Sequence, residues 1–200
     1  MKRVVVGISG ASGVVYGIRA LELLARCGVE THLVLTRHAR ATIAHETGLA
    51  VSEVKARASV VHGENDLGAA ISSGSFPVCG MLVAPCSVKS LSGVANSFDD
   101  NLLVRAADVQ LKERRPLVLL VRETPLHAGH LRLMSEATAA GAIVMPPVPA
   151  FYHRPSSIEE LVDHTVTRAL DLLGFAPADA PRWTGDRVAL PTGARPASLG

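Results

Sequence analysis

The chain has 200 residues, 48% of them hydrophobic and only 4% aromatic, with a formal net charge of +2. That content supports one large domain with an aliphatic core and argues against disorder away from the ends. So small a charge leaves no electrostatic footprint for a nucleic-acid partner. Cys27, Cys79 and Cys86 form no CxxC pair and are odd in number, which excludes a simple disulfide framework and leads us to expect a reducing, cytoplasmic setting. The opening MKRVVVGISG is too interrupted by Gly7, Ser9 and Gly10 to read as a signal peptide. No stretch approaches the roughly 18 uninterrupted apolar residues of a membrane span.

In chain order, Lys2 to Ile8 is a β-branched run ending in glycines, a buried strand. The loop Ser9-Gly10-Ala11-Ser12-Gly13 leads into a helix predicted from Val14 to Arg26, stopped near Gly28. Glu30 to Leu35 is the next strand and Arg37 to Glu46 a helix, a βαβ opening that implies a parallel sheet with a right-handed crossover. Residues 51 to 77 look irregular, with Ser72 to Pro77 a turn-rich surface loop. A third strand is expected over Cys79 to Ala84, stopped by Pro85. Helices follow from Ser87 toward Ala95 and from Asn101 to Arg115. Leu117 to Val121 is a fourth strand, Leu131 to Ala140 a helix and Ala142 to Met145 a fifth strand. Ser156, with Glu159 three residues on, has the form of a capping box for a helix ending near Gly174. The reading is a single α/β domain over residues 1–174, Rossmann-like (flavodoxin-like), with a doubly wound parallel sheet. Residues 175–200, rich in Pro, Ala and Gly, form an extended tail, in which Trp183 is expected to dock against the domain.

Ligands in such sheets bind beyond the C-terminal ends of the strands. Gly10-Ala11-Ser12-Gly13 sits there, between strand and helix, where glycines and free helix N–H groups suit a phosphate; the alternative is a tight turn that binds nothing. The spacing is not GxGxxG, and Thr36 and Arg37 stand where an acidic residue would receive NAD, which weakens an NAD reading, while NADP stays open with Arg37 or Arg40 on its 2′-phosphate. In Pro85-Cys86-Ser87-Val88-Lys89-Ser90, Ser87 either caps the helix or faces a phosphate or ribityl chain. Cys86 there reads as packing rather than as a nucleophile. Arg122-Glu123 ends a strand, where Arg can hold a phosphate and Glu can move protons, against the alternative of a surface ion pair. Lys112-Glu113-Arg114-Arg115 reads by itself as a basic helix end. His127 and His130 form an HxxH without a third ligand, so no metal site is expected.

Taken together, GISGASGVVYGIR, PCSVKSLSGVAN, NLLVRAADVQLKERRPLVLLVRETPLHAGHLRLM, GAIVMPPVPAFYHRP and PRW, in that order, resemble the UbiX flavin prenyltransferase family. The resemblance covers most of residues 3 to 183 and is most specific over Asn101 to Met134. It implies that FMN is held by Gly10, Ala11, Ser12, Thr36, Ser87, Val88, Lys89, Ser90 and Arg122. It implies that the prenyl donor, dimethylallyl monophosphate, is bound by Arg105, Lys112, Arg122, Tyr152 and Arg168, and that Ser12, Glu46, Glu123 and Trp183 are catalytic. It further implies a homododecamer with sites at subunit interfaces, to which Lys112 comes from a neighbouring copy. Reduced FMN is then a co-substrate and prenylated FMN the product, supplied to a UbiD-type decarboxylase, with no metal required. Three other functions compete. A flavin-dependent cysteine-type decarboxylase of the same fold uses a His after the second strand, where His38 and His45 lie, but its Pro-x-Met-Asn segment is absent, since Thr124-Pro125-Leu126-His127 stands there. The others are an NADP-dependent reductase and a non-catalytic FMN carrier subunit.

Overall fold

The computed structural model of the chain describes residues 2–175. Six parallel strands form one sheet: β1 (Arg3–Ile8), β2 (Glu30–Leu35), β3 (Val60–His62), β4 (Met81–Cys86), β5 (Leu117–Val121) and β6 (Ile143–Val144), in the order β3-β2-β1-β4-β5-β6. The helices are α1 (Val14–Arg26), α2 (Arg37–Glu46), α3 (Val51–Lys55), α4 (Val88–Ala95), α5 (Leu102–Lys112), α6 (Ala128–Ala140) and α7 (Ile158–Leu172). The chain builds outward from β1 to β3, then returns to lay β4 on the other side of β1. Crossovers on the two sides therefore diverge between β1 and β4, and a crevice opens beyond their C-terminal ends.

Successive strand residues point to opposite faces. Val4, Val6 and Ile8 pack with Ile18 and Leu21 of α1, Ile43 of α2 and Val166 and Leu170 of α7. Val5, Met81 and Val83 pack on the other face with Leu91 of α4, Leu103 of α5 and Leu133 of α6. Helices on both faces explain why β1, β4 and β5 read as continuous apolar runs rather than alternating ones. Gly17 sets how closely α1 approaches the switch point: a Cβ there would lie 2.2 Å from the Ala84 carbonyl oxygen.

Several boundaries differ from the sequence reading. Residues 51–77, expected to be irregular, contain α3, β3 and a 3-10 turn at Ala70–Ser72. These pieces are too short to show periodicity, and α3 is fixed by a contact within its own first turn, the Glu53 carboxylate accepting from the Ala50 N–H at 2.6 Å. β4 begins later than Cys79 and runs through Pro85 to Cys86. The missing proline N–H is accommodated where the β4–β5 register shifts between Val83 and Cys86. α5 ends at Lys112, because Arg114 takes a left-handed φ of 57°. α6 starts earlier than Leu131, with His127 as its N-cap. The last helix is capped by Ser157, whose hydroxyl accepts from the Glu160 N–H at 3.2 Å, one residue on from the expected box; Ser156 instead donates from its N–H and hydroxyl to the Glu160 carboxylate. Phe175, assigned by sequence to the tail, is buried in the α1–α7 core beneath the Lys2 ammonium. The rest of the expected tail, Trp183 included, lies outside the described residues.

Candidate active site

The crevice is built first by Ser9, which is fully buried. Its N–H and hydroxyl both donate to the Pro85 carbonyl, at 3.2 and 2.9 Å, and its hydroxyl oxygen accepts from the Ser87 N–H at 2.7 Å. One side chain thus ties the end of β1 to the end of β4 across the switch point. The motif reading begins at Gly10 and misses it. A small polar residue at the end of an otherwise apolar strand is the available signal.

The loop beyond Ser9 opens α1 through Gly13, whose φ is 97°. Its first N–H groups are not free for a phosphate. The Glu46 carboxylate, from the last turn of α2, accepts from Gly13 N–H at 2.8 Å and Val14 N–H at 3.1 Å through the same oxygen. The protein's own anion thus complements the helix N-terminus. The loop is also pressed by α2, since a Cβ on Gly10 would lie 2.3 Å from the His38 Cβ. Gly10 is therefore a close-approach glycine, with His38 as its neighbour. Thr36 is buried and caps α2, its hydroxyl oxygen accepting from the Ala39 N–H at 3.2 Å.

α4 presents a different terminus. Ser87 caps it by accepting from the Ser90 N–H at 3.3 Å, and the Ser87 hydroxyl lies 3.2 Å from that of Ser90. The Val88 and Lys89 N–H groups occupy the first turn, where a helix has no intrahelical acceptors. Beside them the Arg122 N–H donates to the Cys86 carbonyl at 3.0 Å, which sets the start of the post-β5 loop against the end of β4. The Arg122 side chain is exposed, and among the described residues no carboxylate pairs with it. The other expected ligand cations are committed: Lys89 to Asp100, Arg105 to Asp99 and Asp108, Lys112 to Glu113, and Arg168 to Asp171. Glu123, half-buried, accepts from the Thr124 N–H at 3.0 Å. Cys86 is excluded as a nucleophile, because burial pushes its thiol pKa up to about 12.

Gly10, Ala11, Ser12, Thr36, Ser87 to Ser90 and Arg122 thus share the C-terminal edge of β1, β2, β4 and β5. First-turn N–H groups, two serine hydroxyls and an uncommitted guanidinium make a donor set that suits a phosphate and a polyol chain, so the residues fit FMN.

The expected donor residues do not all gather there. α5 starts near this edge, where the Leu102 N–H donates to the Glu64 carbonyl and the Glu64 carboxylate accepts from the Arg37 N–H. It then runs back to the start of β5, which leaves Lys112 at the opposite edge, and there its ammonium holds the Glu113 carboxyl below the usual range. Arg105 binds the Ser72 carbonyl at 3.2 Å besides its two aspartates. Tyr152 reaches α7 at His164, its phenol oxygen 2.7 Å from the Nε2, and Arg168 stands one helical turn further along that helix. The HxxH histidines lie with ring centroids 3.6 Å apart and tilted by 31°, and His127 serves as a cap by accepting from the Gly129 N–H.

Fold and crevice define the class, a doubly wound α/β nucleotide-binding protein with a phosphate-ready switch point, and the Flavoprotein family matches residues 1–169. The flavin prenyltransferase UbiX of Thauera aromatica is 58% identical over 184 residues, 92% of this chain and 95% of that protein. The UbiX of Escherichia coli K12 is 56% identical, covering 92% of this chain and all of its own length. Among solved structures, AnUbiX in complex with FMN and dimethylallyl pyrophosphate superposes with a TM-score of 0.90 at 52% identity, over 92% of this chain and 98% of that one. The dodecameric FMN-dependent UbiX-like decarboxylase from Escherichia coli O157:H7 follows at 0.88 and 43%, over 92% of this chain and 100% of that one. The chain belongs to the UbiX family of flavin prenyltransferases, and its activity is that of a transferase.

Proposed function

We propose that the enzyme moves the dimethylallyl group of dimethylallyl monophosphate onto N5 and C6 of reduced FMN, and that the prenylated FMN serves a UbiD-type decarboxylase in the cytoplasm. The observation that carries this reading is Arg122, exposed and unpaired with any carboxylate among the described residues, set beside the open N-terminus of α4 at the switch point.

FMN, when bound, supplies the nucleophilic nitrogen and carbon that receive the prenyl group. The α4 first turn and the Ser87 and Ser90 hydroxyls hold its anionic end, with Thr36 and the Gly10–Ser12 loop alongside. Arg122 neutralises charge on the departing phosphate, where it is joined by Tyr152 and Arg168. Lys112 serves a neighbouring copy's site in a dodecamer, a placement consistent with its position away from this chain's own crevice, and Arg105 contributes to donor binding. Glu123, on the residue after Arg122, moves a proton at the phosphate and flavin, with Ser12 as relay. Glu46 acts by pinning the Ser12–Gly13 turn to α2. The Trp183 ring, an aromatic face for the allylic cation, is assigned from the resemblance. No step asks for a metal, since the charge on the phosphate is met by side chains.

The test is anaerobic incubation with reduced FMN and dimethylallyl monophosphate or diphosphate, followed by mass spectrometry of the released flavin. A flavin heavier by one prenyl unit is expected with the monophosphate. Intact FMN with both donors, from protein that binds them, would shift the assignment to decarboxylase or FMN carrier.

A further inference from the structure

Tyr152 lies in a small cluster of rings with His153 and His164 of α7. Its phenol oxygen is 2.7 Å from His164 Nε2, and the two rings meet edge to face with centroids 5.4 Å apart. His153 stacks on His164 at 4.5 Å and 11°, and both of its ring nitrogens are buried without a partner among the described residues. The His164 ring is therefore held in one plane from behind, by a neighbour that takes none of its hydrogen bonds. α7 supplies the frame, since Thr165 and Val166 beside His164 are buried in the core face. Arg168 follows His164 by one turn, so imidazole and guanidinium share one flank of the helix.

The direction of the Tyr152–His164 bond has a chemical consequence. A phenol has one hydrogen to give, and a phosphate has only acceptors. If His164 accepts at Nε2, the phenol hydrogen is spent inside the protein. If His164 carries its hydrogen on Nε2, it donates to the phenol oxygen, and the phenol hydrogen points to the phosphate. Burial, then the charge of His153, lowers the His164 pKa, so one ring nitrogen is free to be either donor or acceptor at neutral pH. A bound phosphate selects the Nε2–H tautomer, and the two bonds in series polarise each other.

We propose that His164 is a positioning residue for the prenyl donor: through Nε2–H it holds the Tyr152 phenol so that its hydrogen faces the donor phosphate. The inference rests on the reading that Tyr152 meets that phosphate, and the experiment separates the two. Initial rates are measured anaerobically against dimethylallyl monophosphate and against reduced FMN for His164→Leu, His164→Gln, His164→Asn, Tyr152→Phe and the Tyr152→Phe/His164→Leu double variant. His164→Leu is expected to raise the donor KM about tenfold, the size of one hydrogen bond to a charged group, with the reduced-FMN KM unchanged. His164→Gln, whose amide N–H reaches the Nε2 position, is expected to stay within about threefold of the parent, while the shorter His164→Asn behaves as His164→Leu does. In the Tyr152→Phe background the His164→Leu change should add nothing. An unchanged donor KM in His164→Leu, an equal penalty in both backgrounds, or a His164→Gln variant as impaired as His164→Asn would each overturn the inference. If His164→Leu does not fold, the His164→Gln and His164→Asn pair carries the same comparison. If Tyr152→Phe itself leaves the donor KM unchanged, the placement of Tyr152 falls and the inference falls with it. If Tyr152→Phe raises the KM and His164→Leu does not, the inference alone falls.

Discussion

Removing one oxygen from Ser9 should weaken both the fold and flavin binding. In Ser9→Ala the Ser87 N–H loses its acceptor at 2.7 Å. Leaving a buried donor unsatisfied costs about 1–3 kcal/mol. The Pro85 carbonyl keeps a partner, because the Ser9 backbone N–H still donates to it at 3.2 Å. The loss of the hydroxyl-to-carbonyl bond therefore adds only the ordinary ~0.5–1.5 kcal/mol. A total near ~3 kcal/mol, at roughly 2–4 °C per kcal/mol for a chain of this size, lowers Tm by about 6–12 °C.

The same change acts on the site, because Ser87 is the N-cap of α4 and its N–H orientation is what Ser9 fixes. FMN affinity should fall about tenfold, the weight of one misdirected contact to an anion. The assays are thermal unfolding of the FMN-free protein and titration of FMN by flavin fluorescence. Ser9→Thr, which keeps the hydroxyl, is the comparison. A Tm within about 2 °C of the parent together with unchanged FMN affinity in Ser9→Ala would show that Ser9 does not tie the strands, and the account of the crevice would fail.

Glu46→Gln keeps an acceptor for the α1 N-terminus, so its rate should fall only a few-fold; a loss beyond about a hundredfold with an unchanged Tm would make Glu46 a proton-transfer group instead of a helix cap. Glu123→Gln should bind FMN normally and lose turnover by roughly a hundredfold or more, and unchanged product formation would remove Glu123 from the mechanism. Iodoacetamide on the native protein at mildly alkaline pH should label Cys27 and Cys79 before Cys86, as peptide mass spectrometry can show, because only the last is buried with its pKa raised to about 12. Lys112→Ala should raise the donor KM, and co-assembly of Lys112→Ala with Glu123→Gln subunits should recover activity that neither has alone; no recovery would place Lys112 outside any neighbour's site.

Much of the frame is legible in the sequence because it rests on local signals. The α1, β2 and α2 limits follow from glycine and charge punctuation, and β5 from an uninterrupted Leu/Val run bounded by Pro116 and Arg122. β3 is not legible: its three residues gain their strand geometry from pairing with His32 to Val34, a contact made 28 residues away. Pro85 misleads for a related reason, since a proline ends a strand only where its N–H is wanted, and here the ladder is already shifted. At the site, topology alone brings Gly10, Thr36, Ser87 and Arg122 to one edge of the sheet. The tie from Ser9 to Ser87 and the cap from Glu46 to Gly13 span 78 and 33 residues, and no motif spacing encodes them.

Two helix N-termini at one crevice present a problem of selection, because both attract an anion. The chain resolves it with its own carboxylate. With Glu46 on α1, an anionic ligand finds two N–H groups already engaged and a negative charge in place, whereas α4 offers serine hydroxyls and the Arg122 guanidinium. An anion therefore meets less competition at the α4 side than at α1, and Gly10 is left with the small profile that its close approach to α2 requires. The α5 direction divides the labour further. A helix whose N-terminus lies by the crevice must carry its C-terminal lysine away from it, so Lys112 would meet a donor only in an assembly that brings one chain's rear edge to another's crevice.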